Sequence, residues 1–416
     1  MLKKLKIFTL FSSVLFSFAC QAESLTVGIT TGSAAQNTFF PLYSEFEVFL
    51  NTGIKISRFP MADMKNLDQD DNWFDNSGKP IDILLGHASQ RIEKYFIEGK
   101  ILPINTYWEK YNLQDDFKHL VDSITFNKHI LGLPYQMNGT HIFYKKNLLK
   151  NYGNMPKTLP DLASLCRALY KDNIIPFHIA ATSQWTSMAW FEYITLRTYG
   201  IKFLKEITDG KVSFKSHEVT TILKHWKSLY DANCYHETFG KMHWIDSLPL
   251  FYRQKIAMIF VGSYLLPNTM DKNTYNDLDM FNFPKIADIP RYESVPVDIF
   301  FVNKKSKNLH NIGKFLSFVA QATIQASIAS SLKSIPANNK SMMPNDPLAK
   351  KIYREVITAQ GTSPFIDRAL LPLFELNSRE HFVQFMRDGN IDSFQTNMET
   401  LRIKHYPLST TMQTNP

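Results

Sequence analysis

The sequence predicts an α/β protein of two lobes, each a doubly wound sheet with flanking helices, with a ligand cleft between them. Three observations predict this. From Ser24 the chain reads strand, polar turn, helix, strand, the order of a doubly wound sheet. Lys128 to Asn147 (KHILGLPYQMNGTHIFYKKN) reads as a strand leaving one lobe, a short polar crossover, and a strand entering another. A chain of 416 residues, 44% of them apolar, is long enough for two cores rather than one.

Before the first strand, Lys3, Lys4 and Lys6 precede the apolar run Ile7 to Phe18 and the small-residue exit Ala19-Cys20-Gln21-Ala22. This is the pattern of a secretory leader, and the expected product is a periplasmic protein cleaved after Ala22. The competing lipoprotein reading, with Cys20 as acyl acceptor, has Ser17 where that signal normally carries Leu. The apolar run falls short of the roughly 20 residues that a membrane span needs. The formal charge of +8 falls by the three leader lysines, 8 − 3 = +5, and no dense Lys/Arg block stands in the remainder. Nucleic acid is therefore not an expected partner, whereas acidic ligands stay open. With Cys20 gone, Cys166 and Cys234 remain in an oxidising compartment, either as a disulfide or as two buried thiols.

Leu25 to Ile29 forms the first strand, Thr30 to Ser33 a polar turn, and the helix after it ends near Asn51. Gly53 to Phe59 is the second strand, and Pro80 to Leu85 is a third, apolar enough to be buried on both faces. Between them, Asp68 to Asn72 imitates the start of a calcium loop. Trp73 replaces the glycine of the sixth position and Lys79 the glutamate of the twelfth, so no metal is expected there. Helices follow at Leu159 to Lys171, with Pro160 in the first turn, at Ser187 to Tyr199 and at Val219 to Asp231. Ala257 to Val261 is a buried strand, Ser294 to Asn303 the return crossover, and Asn311 to Ala329 an apolar helix. The expected division is residues 23–137 plus 297–333 in the first lobe and 138–296 plus 334–416 in the second, as a monomer without a cofactor.

Ligands of open α/β lobes sit beyond the C-terminal ends of strands. That rule selects Thr31 after the first strand and His87 and Gln90 after the third. It also selects Tyr135, Gln136 and Asn138 at the crossover, and Gly262, Ser263 and Tyr264 after the strand near residue 260. Trp185 and Trp244 are candidate stacking faces. Flat aromatic rings pack on the C–H faces of pyranoses and planar polar groups bond hydroxyls in pairs, although most aromatics in any chain are core. No G-x-S-x-G elbow is present, and His236-Glu237-Thr238-Phe239-Gly240 is not H-E-x-x-H. A glycosidase reading would use Asp298 with Glu192 or Asp246, but nothing in the sequence sets their separation.

Several of these segments together resemble the extracellular solute-binding proteins, family 1, the sugar-binding components of bacterial ABC importers. Leu133-Pro134-Tyr135 and Phe143 to Leu149 flank the crossover as in that family, and Phe46 to Ile56 and Ile81-Asp82-Ile83 match its first helix and strands. Ser183 to Arg197 resembles its W....WFDYLNLR segment, with Glu192 for Asp and Thr195 for Asn. Gly262-Ser263-Tyr264, Val295 to Phe300 and Phe382 to Met386 fit further motifs; Phe365 to Ala369 fits another, with Ala369 in place of an acid. The resemblance implies a type II periplasmic-binding-protein fold, capture of a di- or oligosaccharide by hinge closure, and an ABC permease as partner. It adds Asp298, as an acceptor of sugar hydroxyls, and Arg368 to the site. A periplasmic carbohydrate-active enzyme and a ligand-presenting sensor protein are the alternatives.

Overall fold

The computed structural model describes residues 24–30, 33–50, 55–61, 75–76, 79–269 and 272–406. The leader, Thr31 and the Asp68 to Asn72 loop lie outside the described residues. The strands that position the site are β1 (Ser24–Thr30), β2 (Lys55–Met61), β3 (Ile83–His87), β4 (Leu133–Met137), β5 (Thr140–Lys145), β6 (Met258–Gly262), β7 (Leu278–Phe281), β8 (Val297–Asn303) and β9 (Ile335–Pro336).

The first sheet runs in the order β9-β4-β8-β3-β1-β2. β1 is parallel to both β2 and β3, whereas β8 is antiparallel to β3 and β4. All seven residues of β8 are buried, as befits a central strand with both faces covered. On one face Phe300 meets Phe39 of helix Ser33–Leu50 at 5.8 Å and Phe315 of helix Leu309–Ala320 at 5.4 Å, both edge-on. The apolar helix expected from Asn311 to Ala329 is two helices, Leu309–Ala320 and Ala322–Leu332, because Gln321 adopts an extended conformation (φ −60°, ψ 137°).

The second sheet differs from the doubly wound one expected. It consists of three antiparallel strands, β6-β5-β7, and parallel pairing in this half is limited to short pairs such as Phe177–His178 with Tyr235–His236. All six residues of β5 (Thr-His-Ile-Phe-Tyr-Lys) are buried, so no in–out alternation in its sequence marks the direction of its neighbours. Helices supply most of this lobe. Trp185–Thr198 is its centre, every residue from Ser187 to Arg197 being buried, and Phe191 packs against Trp226, Phe382 and Phe394. Helix Leu159–Lys171 starts on a capping box between Thr158 and Asp161 with Pro160 in its first turn. Cys166 in that helix is joined by a disulfide to Cys234, with Cα atoms 5.0 Å apart.

The boundary expected at residue 333 also moves. β9 pairs with Met137 and Gln136 in the first sheet, and Asn338 and Asn339 then bond the backbone carbonyls of Ala320 and Asp115. The crossings at Asn138-Gly139 and Val295-Pro296 run side by side, with the Asn138 amide donating to the Pro296 carbonyl at 3.1 Å. Gly139 is needed for close approach, since a Cβ there would lie 2.7 Å from His141 Nε2 and 2.8 Å from Ile352. Beneath the crossings Glu293 is buried under Arg197 (2.7 Å) and Arg291 (2.8 Å), and the Tyr193 hydroxyl lies 3.0 Å from both Glu293 and the Thr140 carbonyl. Trp190, Phe191 and Arg197 are thus structural, holding the strands that leave the hinge.

Candidate ligand-binding site

Strand register assembles the polar half of the site. Asp298 on β8 faces His87 of β3 across one edge and Gln136 of β4 across the other. Directly opposed residues bring their side chains within reach on one face of a sheet. The Asp298 Oδ1 atom is bonded by His87 Nδ1, and Arg368 Nη1 reaches it at 3.4 Å. Gln136 Nε2 donates to Oδ2 at 2.6 Å, and Asn138 Nδ2 lies 3.5 Å from the same atom. Asn138 in turn accepts from the Ser263 hydroxyl at 3.0 Å, which links the crossover to the turn after β6.

The charges follow from this packing. Burial raises the pKa of Asp298, but its interaction with His87, the Arg368 charge and the Gln136 bond together hold it below the ordinary carboxylate value. The Asp298 side chain is only 7% exposed and is ionised at neutral pH. Burial and the nearby Arg368 charge lower the pKa of His87, so its imidazole is neutral at pH 7. An ionised carboxylate only accepts, so the proton of neutral His87 sits on Nδ1, and Nε2 offers a lone pair to the cleft from a side chain that is 33% exposed.

The aromatic half comes from loops and helix ends. Trp185 opens its helix and meets Tyr264 at 6.2 Å and Phe365 at 6.0 Å; Trp244 meets Tyr264 at 5.3 Å. Tyr264 folds back over Gly262, where an added Cβ would sit 2.3 Å from the ring, so only glycine permits the fold. The Tyr264 hydroxyl is buried against the Gly262 backbone, and that burial raises its pKa. Arg368 joins the two halves, lying 5.4 Å above the Phe365 ring while reaching Asp298.

His87, Gln136, Asn138, Ser263, Gly262, Tyr264, Asp298, Arg368, Trp185 and Trp244 therefore converge. Two expected residues do not. Tyr135 points to the opposite face of β4 from Gln136, as consecutive strand residues must, and packs in the core against Phe39 (5.5 Å) and Phe300 (4.8 Å). Gln90 opens helix Gln90–Ile97 behind the Ser89 cap and bonds Glu93 of its own first turn. Phe365 was not selected; the segment Phe365 to Ala369 carried the signal, but only Arg368 was taken from it.

A family profile described as bacterial extracellular solute-binding protein matches residues 71–326. The chain belongs to this family. Its fold is that of the type II periplasmic binding proteins. The solute-binding protein superposes on the bacterial solute receptor AcbH, described as having an exclusive preference for β-D-galactopyranose, with a TM-score of 0.84 at 20% identity over 92% of this chain and 99% of that one. A chitin oligosaccharide binding protein gives 0.81 at 20% identity, covering 92% and 98% of the two chains. A protein of xylan utilisation from Caldanaerobius polysaccharolyticus gives 0.80 at 17% identity, covering 91% and 99%. No curated protein matches by sequence. Family and neighbours are binding proteins rather than enzymes, and among the described residues no group of three or more His, Cys, Asp or Glu is placed to hold a metal ion.

Proposed function

We propose that this solute-binding protein captures a carbohydrate, a di- or oligosaccharide, by closing its lobes on it in the periplasm, and hands it to the permease of an ABC importer. The observation that carries this reading is the junction of the two halves of the site. A saturated polar cluster, built on the first sheet, abuts the faces of Trp185, Trp244, Tyr264 and Phe365, with Arg368 belonging to both. Hydrogen-bonding forks beside aromatic planes suit a molecule that is polar at its rim and apolar on its ring faces. Structural neighbours described with galactopyranose, chitin oligosaccharide, raffinose and maltose support the same ligand class. Closure is then a shift toward the state in which both lobes touch the ligand.

The test is a thermal-shift and calorimetric panel of mono-, di- and oligosaccharides on the mature protein, with X-ray scattering of the free and saturated forms. A cognate sugar at about 100 times its Kd stabilises the native state by about 2.7 kcal/mol and raises the melting point, and it shrinks the radius of gyration. A panel without any shift, or release of cleaved sugar, removes the reading.

A further inference from the structure

The second lobe holds a cavity of about 440 Å³, walled by residues of the segments 155–157 and 281–291 and by Arg197. No residue of the candidate sugar site lines it. Arg197 stands near the end of the helix that Trp185 opens, and twelve residues at about 1.5 Å each put the two roughly 18 Å apart along the axis. The volume falls in the range of small-molecule pockets, about 300–1,000 Å³. Met155, Phe281 and Ile289 give it an apolar wall, and every charged side chain of its lining is a cation: Lys157, Arg197, Lys285 and Arg291.

Two of these cations are already committed. Arg197 donates to the carbonyls of Phe283 and Tyr292 and to Glu293, and Arg291 donates to Glu293 and Thr358 and meets Glu355 at 3.3 Å. The lysines are not. Their backbones are joined, the Lys285 amide donating to the Lys157 carbonyl at 2.9 Å, so two like charges leave paired segments for one cavity. Lys285 pairs with Asp288 at 2.6 Å, but Asp288 is 97% exposed, and such a surface pair contributes little. Among the described residues the Lys157 ammonium makes no hydrogen bond or ion pair. Asp161, four residues on, accepts instead from the backbone amides of Lys157 and Thr158, at 3.2 and 2.9 Å. An ammonium group has three donors to offer.

We infer that this cavity is a second binding site, for a small organic anion whose carboxylate or phosphate head lies between Lys157 and Lys285 and whose apolar body lies on Met155, Phe281 and Ile289. A bare inorganic anion would leave the apolar wall in water. Burying that wall is what an organic body adds. The site is separate from the cleft, and the inference does not depend on the carbohydrate reading.

The experiment is calorimetry of the mature protein at low ionic strength with phenyl phosphate, benzoate, inorganic phosphate and neutral benzamide. Wild type is compared with Lys157→Glu, Lys285→Glu and, as a control in the sugar cleft, Arg368→Gln. At least one of the two aromatic anions is expected to bind wild type at a single site, more tightly than inorganic phosphate or benzamide, and to weaken as salt is added. Each lysine reversal is expected to raise its Kd about 10-fold, the loss of one charge-assisted hydrogen bond. Arg368→Gln leaves that Kd unchanged. Both lysines are exposed, so the variants are expected to keep the wild-type melting point. Should either reversal unfold the protein, Lys157→Gln and Lys285→Gln are put through the same titrations. The assignment is overturned if neither aromatic anion binds wild type saturably, or if benzamide or inorganic phosphate binds as tightly. It is equally overturned if the lysine variants bind as wild type does, or if binding is lost in Arg368→Gln, which would place the anion in the sugar cleft.

Discussion

The two lobes furnish the site by different means. The first brings His87, Gln136 and Asp298 together by strand register, three neighbours on one face of one sheet. The second brings Trp185 from a helix start, Trp244 and Phe365 from the residues that precede short helices and Tyr264 from a single 3-10 segment, packed ring to ring. A sheet fixes the spacing of its side chains to within the pleat, whereas loops permit reshaping without loss of the core. On the proposed reading, the polar half is the rigid frame and the aromatic half is where ligand shape is read.

Four measurements sharpen or break that contrast. The largest effect is expected away from the site, at the disulfide of the second lobe. Its ends are 68 residues apart, and removing it with Cys166→Ala and Cys234→Ala is expected to cost about 4 kcal/mol in urea denaturation. Sugar affinity stays unchanged, because Cys166 and Cys234 are both fully buried in the second core. Next comes Asp298→Ala, which strands the Arg368 guanidinium, 13% exposed, and leaves His87 and Gln136 without an acceptor. Breaking such a buried pair costs about 3 kcal/mol and abolishes calorimetric binding; retained affinity would refute the frame.

Trp185→Ala tests the other half. The ring is only partly buried, so about a 10-fold loss of affinity is expected with little change of melting point. The control is Trp190→Ala on the same helix, a fully enclosed ring that meets Phe177, Tyr235, Phe260 and Phe283, whose loss costs about 3–5 kcal/mol of stability. Equal effects of the two on stability would merge the aromatic half into the core.

The smallest effect is in pH. Glu192 is fully buried beside Ser294 and the Ile366 backbone, and burial raises its pKa to about 8. An acid raised in the folded state binds its proton more tightly there than in the unfolded chain. The stability it contributes is present in full below the unfolded value of 4.5 and is lost as pH rises toward about 8. Glu192→Gln is therefore expected to melt a few degrees above wild type at pH 8 and level with it at pH 5; a constant offset would contradict the assignment.

How much of this was legible depended on which physical rule applied. The ends of β3, β4 and β6 are visible as apolar runs followed by polar or glycine residues, and that located His87, Gln136 and Ser263. Alternation says that Tyr135 and Gln136 face opposite ways, but not which of them faces the core until β8 is known to lie beside β4. Strand direction was hidden in β5, because a strand covered on both faces reads the same whether its neighbours are parallel or antiparallel. β9, two residues long, is too short for any periodicity, which is why the boundary at 333 fell early.

The side-by-side crossings, joined at Asn138 and Pro296 and braced below by Glu293, have a mechanical consequence. Groups beside a pivot have a short lever arm. On the proposed closure, Asn138 and the Asp298 carboxylate it touches would travel only a fraction of the distance covered by residues at the rim. A small and a large guest would be held at the fulcrum in nearly the same way. Discrimination by size then belongs to the outer edge of the mouth, and exchanging residues there would retune the preferred guest while the grip at the fulcrum stays as it is.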